Sequence, residues 1–330
     1  DVYIFPGLME EMIEPLIRDK EDLYAGTCYE FAVPDYDGSI AGYCFAIYRL
    51  HNLASFMTDK PILCWGGCQM IRSSFYRENQ MRILDCYLDG GYSDDTIFSV
   101  LIQEGGHHCA HTCRSLFSKI PSKDYKLSQY WEYLSRQLYV LKMYCTPFNF
   151  RLSLSLGFLI LTTCLLILSW SILMIPVALL ILIGIPSGKI PMGVFTVLPL
   201  IDAVLWYLCV EGVVYSTKIM VDITNAEKPE DQRIKLKMCR WKIFCGLILQ
   251  VVMLPLAIIK VLAKKSVVWS GVRYYPKGGK VCKVEKLNDD GTIETGDFSH
   301  SVADSIEKMG IEIGKGGVVG FLQPECEKEE

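Results

Sequence analysis

"GGYSDDTIFSVLIQEGGHHCAHTCRSLF" (residues 90–117) joins a segment of helical period to an alternating one across a Gly-Gly step. From Asp94 to Gln103, the residues Ile97, Val100 and Leu101 recur at i, i+3 and i+4, the spacing of one buried helix face. Asp94 or Asp95 fits the N-cap of that helix and suits the positive end of its dipole. From His107 to Phe117 the pattern alternates as a strand does.

The same alternation of periods runs through the first 150 residues. "LMEEMIEPLIRDK" (8–20) predicts a short amphipathic helix, "LYAGTCYEFAVP" (23–34) a strand, and "SIAGYCFAIYRLHNLASFM" (39–57) a helix with aromatics on one face. "PILCWGGCQMIR" (61–72) predicts strand, Gly-Gly turn and strand, and "SQYWEYLSRQLYVLKMY" (128–144) a helix. Alternating helices and strands make α/β the expected class.

Beyond residue 150 the composition changes. Leu152–Ile185 is 34 residues without a charge, more than the ~20 that one span needs. One span plus a re-entrant piece near Pro176, or two short spans, would accommodate it. Met192–Ser216 predicts another span, and Ile243–Ala263 is long enough to cross but carries Pro255 and Lys260. The connections after residue 216 are basic: Lys218, Lys228, Arg233, Lys235, Lys237, Arg240 and Lys242, then Lys260, Lys264, Lys265, Arg273 and Lys277. The positive-inside rule puts both on the cytosolic side, so parity favours two crossings with 243–263 lying in the interface; three crossings are the second choice. The expected organisation is a cytosolic α/β domain (1–150), a membrane domain (151–265) and a cytosolic β-rich tail with an acidic end (266–330).

Of the 330 residues 51% are hydrophobic, and the formal net charge is −4. That charge, without an aromatic–basic ladder, argues against nucleic acid as a partner. The fourteen cysteines are scattered. Cys164, Cys209 and Cys245 fall in apolar runs, which suits buried small hydrophobes, and the exposed segments suit reduced thiols.

The order of "WGGCQMIR", "YSDD" opening a helix, a strand, an aromatic helix, apolar spans and then "VVWSGVRYYPKGGK" (267–280) resembles the C-terminal two-thirds of a membrane-bound family 2-type glycosyltransferase. The ceramide glucosyltransferase-like branch is the most similar. The resemblance covers nearly all of residues 1–280. It implies a GT-A-type catalytic domain, a UDP-sugar donor, a divalent metal (Mg or Mn) and a lipid acceptor such as ceramide, in a Golgi or ER membrane if the source is eukaryotic.

Carried over position by position, Asp1 of "DVYIFPG" matches the last aspartate of the metal motif, which places the other aspartates and the uridine-binding strands upstream of this chain. Trp65, Gly66, Gly67 and Cys68 match the Gly-rich turn that floors the donor–acceptor pocket. There the glycines let backbone amides approach a sugar or phosphate, and Trp65 offers a flat face. In "SDD" the second acid matches the general base: Asp95 takes the acceptor proton while Asp94 caps the helix. The family's Gln-x-x-Arg-Trp is altered. "SRQLYVLKMY" keeps Arg136 and Gln137 but lacks the Arg-Trp, leaving Arg136 or Lys142 as a cation for the leaving diphosphate.

Other readings compete. "HHCAHTC" (107–113) would put Cys109, His111 and Cys113 on one strand face, a three-ligand zinc set without a second knuckle. Asp202 and Glu211 are costly in an apolar span and would serve a transporter. A non-catalytic lipid-binding or scaffolding module and a polysaccharide synthase are the remaining alternatives.

Overall fold

The computed structural model describes residues 7–18, 23–53, 67–182, 192–226, 228–269, 272–287 and 292–297. In chain order these form α1 (Leu8–Arg18), β1 (Leu23–Ala32), α2 (Ile40–Leu53), β2 (Gln69–Ile71), α3 (Ser73–Arg77), α4 (Ile83–Leu88), α5 (Asp94–Glu104), β3 (His108–Lys119) and α6 (Leu127–Gln137). A 3-10 stretch, Leu138–Lys142, leads to α7 (Pro147–Leu182), α8 (Met192–Ala226) and α9 (Arg240–Ala263). Four strands complete the order: β4 (Val267–Trp269), β5 (Val272–Lys277), β6 (Lys280–Leu287) and β7 (Ile293–Asp297). The described chain is mostly helical with two small sheets.

The first sheet has the order β2-β1-β3. β1 runs parallel to β3, from Leu23 opposite His108 to Ala32 opposite Lys119, and antiparallel to β2. A parallel pair cannot be closed by a tight turn, so the segment from α2 to α5 is the crossover. The second sheet, β4-β5-β6-β7, is antiparallel throughout. Leu287 pairs with Ile293.

The three long helices are apolar enough to cross a membrane, with candidate spans at Pro147–Val177, Val197–Ala226 and Arg240–Ala263. α7 is continuous over 36 residues through Pro176, not two short spans or a span and a re-entrant piece. At 1.5 Å per residue it is about 54 Å long. A proline removes one backbone donor, and apolar surroundings keep the remaining backbone bonds inside the helix. α8 is also longer than its apolar run. Its last turns pack Met220 and Val221 onto Phe31 and Val33 at the end of β1. Asn225 then closes the α8 end by two hydrogen bonds with the Ile234 backbone, at 2.8 and 2.9 Å.

α9 differs from its neighbours. Half of its apolar window is buried, against 11% for α7 and α8. One face, including Ile243, Leu247, Gln250, Leu254 and Ile258, packs into the molecule. The opposite face exposes Trp241, Ile248, Leu256, Ile259 and Leu262. Its start is tied to the loop before α2, because Lys242 donates to the Tyr36 and Gly38 carbonyls, each at 2.9 Å. The Cys239 N–H also donates to the Tyr43 hydroxyl at 2.9 Å. At mid-length the buried Tyr130 hydroxyl of α6 donates to the Gln250 side-chain carbonyl.

Glu211 of α8 pairs with Arg240 at the start of α9, so one of the two acids in the expected span serves as a strut between helices. Among the described residues nine cysteines are free, Cys164, Cys209 and Cys245 among them, as expected, while the buried Cys109 is disulfide-bonded. The bond removes Cys109 from the zinc set, and among the described residues no three His, Cys, Asp or Glu side chains are placed to hold a metal ion.

Candidate functional site

The site is built on the loop "DGGYS" (89–93) between α4 and α5. α4 ends where the Asp89 N–H donates to the Asp85 carbonyl at 2.8 Å and the Gly91 N–H to the Cys86 carbonyl at 3.1 Å. Gly90 has φ +82°, a left-handed conformation that glycine adopts without Cβ strain. A Cβ at Gly90 would also overlap the Val281 carbonyl oxygen. The loop is therefore pressed against β6.

The helix start corrects the sequence reading. Ser93 holds the N-cap position with extended backbone (φ −118°, ψ 105°), and Asp94 is the first helical residue. Ser93 wins because its carbonyl already accepts the first helical bond, from the Ile97 N–H at 3.0 Å, which is what defines that position. Asp95 lies one residue further in. Its Oδ1 accepts from the Ser93 hydroxyl and from the Thr96 N–H, the latter at 2.8 Å. Ser93 and Thr96 hydroxyl oxygens lie 2.9 Å apart. The result is a carboxylate set between two hydroxyls at the amino end of a helix.

Ser93 and Thr96 form one wall of a cleft with about 350 Å³ of empty space, its open mouth included. Opposite them stand Tyr144 and Asn149, the latter in the first turn of α7. The β5–β6 turn forms the roof: the Tyr144 N–H donates to the Gly279 carbonyl at 2.9 Å, the Val281 N–H donates to the Gly90 carbonyl at 2.8 Å, and Lys280 pairs with Asp89. Three separate parts of the chain thus meet here, and one of them is the foot of the first long apolar helix.

Behind the wall, Tyr92 meets the rings of Tyr139 and Tyr274 edge to face, at 5.9 and 5.6 Å. Burial pushes the Tyr92 phenol up to about 12, opposed by the nearby Arg136 charge. Arg136 lies over the Tyr133 ring at 5.8 Å. Arg136, in the last turn of α6, is thus within electrostatic reach of the residue that precedes the Ser93 cap. Gln137 comes next, half-buried, at the start of the 3-10 stretch.

Lys142 is committed elsewhere, donating to the Leu262 and Lys264 carbonyls at 3.3 and 2.6 Å where α9 ends. Cationic side chains suit a helix carboxyl end, so this lysine serves the fold. Gly67 is an exposed turn residue. The Cys68 thiol donates to the Met12 sulfur at 3.8 Å, between β2 and α1 and away from the cleft. Trp65, Gly66 and Asp1 lie outside the described residues, and Asp94 is described only in its backbone.

Reading the sequence did not single out Tyr92, Tyr144, Asn149, Cys86 or Cys145. Tyr92 stands inside the decisive motif, and its aromatic character was the available signal. The others come together only through the docking of distant segments. No protein-family model matches the chain, and no curated protein or solved structure matches it either.

Proposed function

We propose that the chain is part of a membrane-embedded, inverting glycosyltransferase that moves a sugar from a UDP-sugar donor to a lipid hydroxyl at the bilayer surface. The observation that carries the reading is the position of the Ser93–Asp95–Thr96 group. Its two hydroxyl residues, Ser93 and Thr96, line a cleft whose far wall is the foot of α7, and both are bonded to the Asp95 carboxylate behind them. Asp95 removes the acceptor proton as the oxygen attacks the anomeric carbon, and the UDP leaves from the opposite face of the sugar. Arg136 supplies positive charge to the leaving diphosphate.

In this reading residues 1–150 are the C-terminal part of a GT-A-type domain facing the cytosol, as the basic connections after α8 and α9 favour. α7 and α8 cross the bilayer. α9 lies along its surface, with the Trp241–Leu262 face in lipid and its opposite face on the catalytic domain. Asp1 would be one oxygen ligand of the donor's divalent cation. Glucose and ceramide are the donor sugar and acceptor that the sequence resemblance favours.

The test is Asp95→Asn in the full-length protein, assayed for transfer of labelled glucose from UDP-glucose to ceramide in liposomes. A loss of about 100-fold or more, the scale of a general base, with UDP binding retained, is the expected result. Unchanged transfer would sink the assignment. The altered "SRQLYVLKMY" segment favours a second reading, a lipid-binding module without catalysis, for which the outcome is no UDP-sugar binding by calorimetry.

A further inference from the structure

Asn149 is 1% exposed, yet it lines the cleft from the first turn of α7. Its backbone N–H donates to the Thr146 hydroxyl at 3.1 Å, and its Oδ1 accepts from the Cys145 N–H at 3.1 Å. Together these bonds make a reciprocal cap for the start of α7. The second also fixes which end of the amide is oxygen, because the amide nitrogen cannot accept from an N–H. The other end, Nδ2, is buried and has no hydrogen-bond partner. Among the described residues it is the one buried side-chain nitrogen or oxygen of the cleft lining in that condition. A buried donor without a partner carries the full desolvation penalty of the group, so the arrangement calls for an acceptor in the cleft.

The charges of the cleft select that acceptor. Asp89 and Lys280 are the only charged side chains that line it, and they pair with each other. Behind the wall lies the Asp95 carboxylate, accepting from the Ser93 hydroxyl and the Thr96 N–H. Beside that carboxylate a phosphate or a second carboxylate is repelled. An uncharged hydroxyl fits: it accepts from Asn149 and keeps a proton to donate to another oxygen. The cleft also borders apolar surface. Tyr144, in its lining, meets the Phe150 ring at 4.9 Å, and Phe148, Phe150 and Leu154 are exposed on α7. A ligand that enters along this face is an amphiphile.

We infer that the cleft holds the head of an uncharged, hydroxyl-bearing lipid, whose oxygen accepts from Asn149 Nδ2 while its chains lie along the exposed apolar face of α7. Asn149 is the residue that sets the head-group specificity of the site. This deepens the proposed function by naming the class of lipid; it rests on that reading for the reaction that follows, whereas binding is measured without it.

The experiment uses the full-length chain at pH 8 in phosphatidylcholine nanodiscs, without any nucleotide sugar. The probe is a diacylglycerol carrying a diazirine next to its free hydroxyl, cross-linked by light and mapped by mass spectrometry. The expected label falls on the cleft-lining segments 86–97 and 143–149. Unlabelled dihexanoylglycerol should displace it at least ~10-fold more effectively than dihexanoylphosphatidic acid, which is anionic. Asn149→Asp keeps an oxygen for the Cys145 N–H but loses the amide donors, and Asn149→Leu loses both. In each the label should fall about 10-fold, the scale of one hydrogen bond. Thr146→Ala weakens the cap and leaves the amide in place, so its label should stay within about twofold of the native chain. Native labelling in Asn149→Asp overturns the inference and leaves Nδ2 to an ordered water. An equal loss in Thr146→Ala overturns it as well, since the cap and not the donor then controls the site. Equal displacement by the anionic lipid, or a label that spares the cleft segments, does the same. Failure of the transferase reading looks different: the label enters the cleft as expected, and no sugar is transferred to the lipid.

Discussion

The Val281 N–H donates to the Gly90 carbonyl at 2.8 Å, and Gly90 sits at φ +82° with no room for a Cβ beside the Val281 carbonyl oxygen. This backbone contact docks the second sheet on the α4–α5 loop. Gly90→Ala must bring a side chain into a left-handed residue, at ~1–2 kcal/mol, and must also push β6 away. The expected result is a loss of about 2 kcal/mol or more in denaturant unfolding. Hydrogen exchange should rise in β5 and β6 before it rises in α5. Unchanged exchange in β6 would show that the two parts are not coupled through this contact.

Tyr130 and Gln250 make a buried polar link between α6 and α9, and the Gln250 amide nitrogen has no partner among the described residues. Tyr130→Phe strands the Gln250 carbonyl, and Gln250→Leu strands the phenol; each should cost about 1–3 kcal/mol. The double variant removes both polar groups and should be more stable than the sum of the single losses. Strict additivity in the double-mutant cycle would show that the bond contributes nothing to docking α9.

Tyr92 and Tyr139 are both raised to about 12, in each case first by burial. Their folded values lie above the unfolded value near 10. The stability they contribute is therefore complete below pH ~10 and is lost as the pH climbs through 12, because the unfolded chain releases the phenolic protons more readily. Urea midpoints measured at pH 9, 10.5 and 11.5 should fall less steeply for Tyr92→Phe than for the native chain. Equal slopes would mean that Tyr92 is not held neutral by its surroundings. Tyr139 adds a control: its hydroxyl has no hydrogen-bond partner among the described residues, so Tyr139→Phe should leave stability at pH 7 unchanged or slightly raised.

Much of the fold is legible in local pattern. The 3.6-residue period over 94–103 and the alternation over 107–117 became the helix and the strand they predict, since each depends on side chains a few positions apart, whereas the uncharged run from Leu152 became one continuous helix and not two pieces. The resemblance to a glycosyltransferase rests on the order of those elements and predicts roles for Asp95 and Arg136 that await activity measurements. Local pattern fails where one backbone hydrogen bond decides. Whether Ser93 or Asp94 holds the cap turns on which carbonyl accepts from Ile97, and both residue types suit the position. Pro176 likewise reads as a break in isolation, yet α7 runs through it, because a helix in apolar surroundings has no competing partner for its backbone.

What the amino-acid order settles on its own is the kind of each segment: short alternating elements, then helices too apolar for water, then a β-rich tail. It settles this because periodicity and hydropathy are properties of neighbouring residues. Which segments meet is a property of the folded chain alone. Tyr130 finds Gln250, Lys142 caps α9, and Val281 seals Gly90. Pairings over such sequence separations are selected by burial and complementary hydrogen bonding, and no local pattern encodes them.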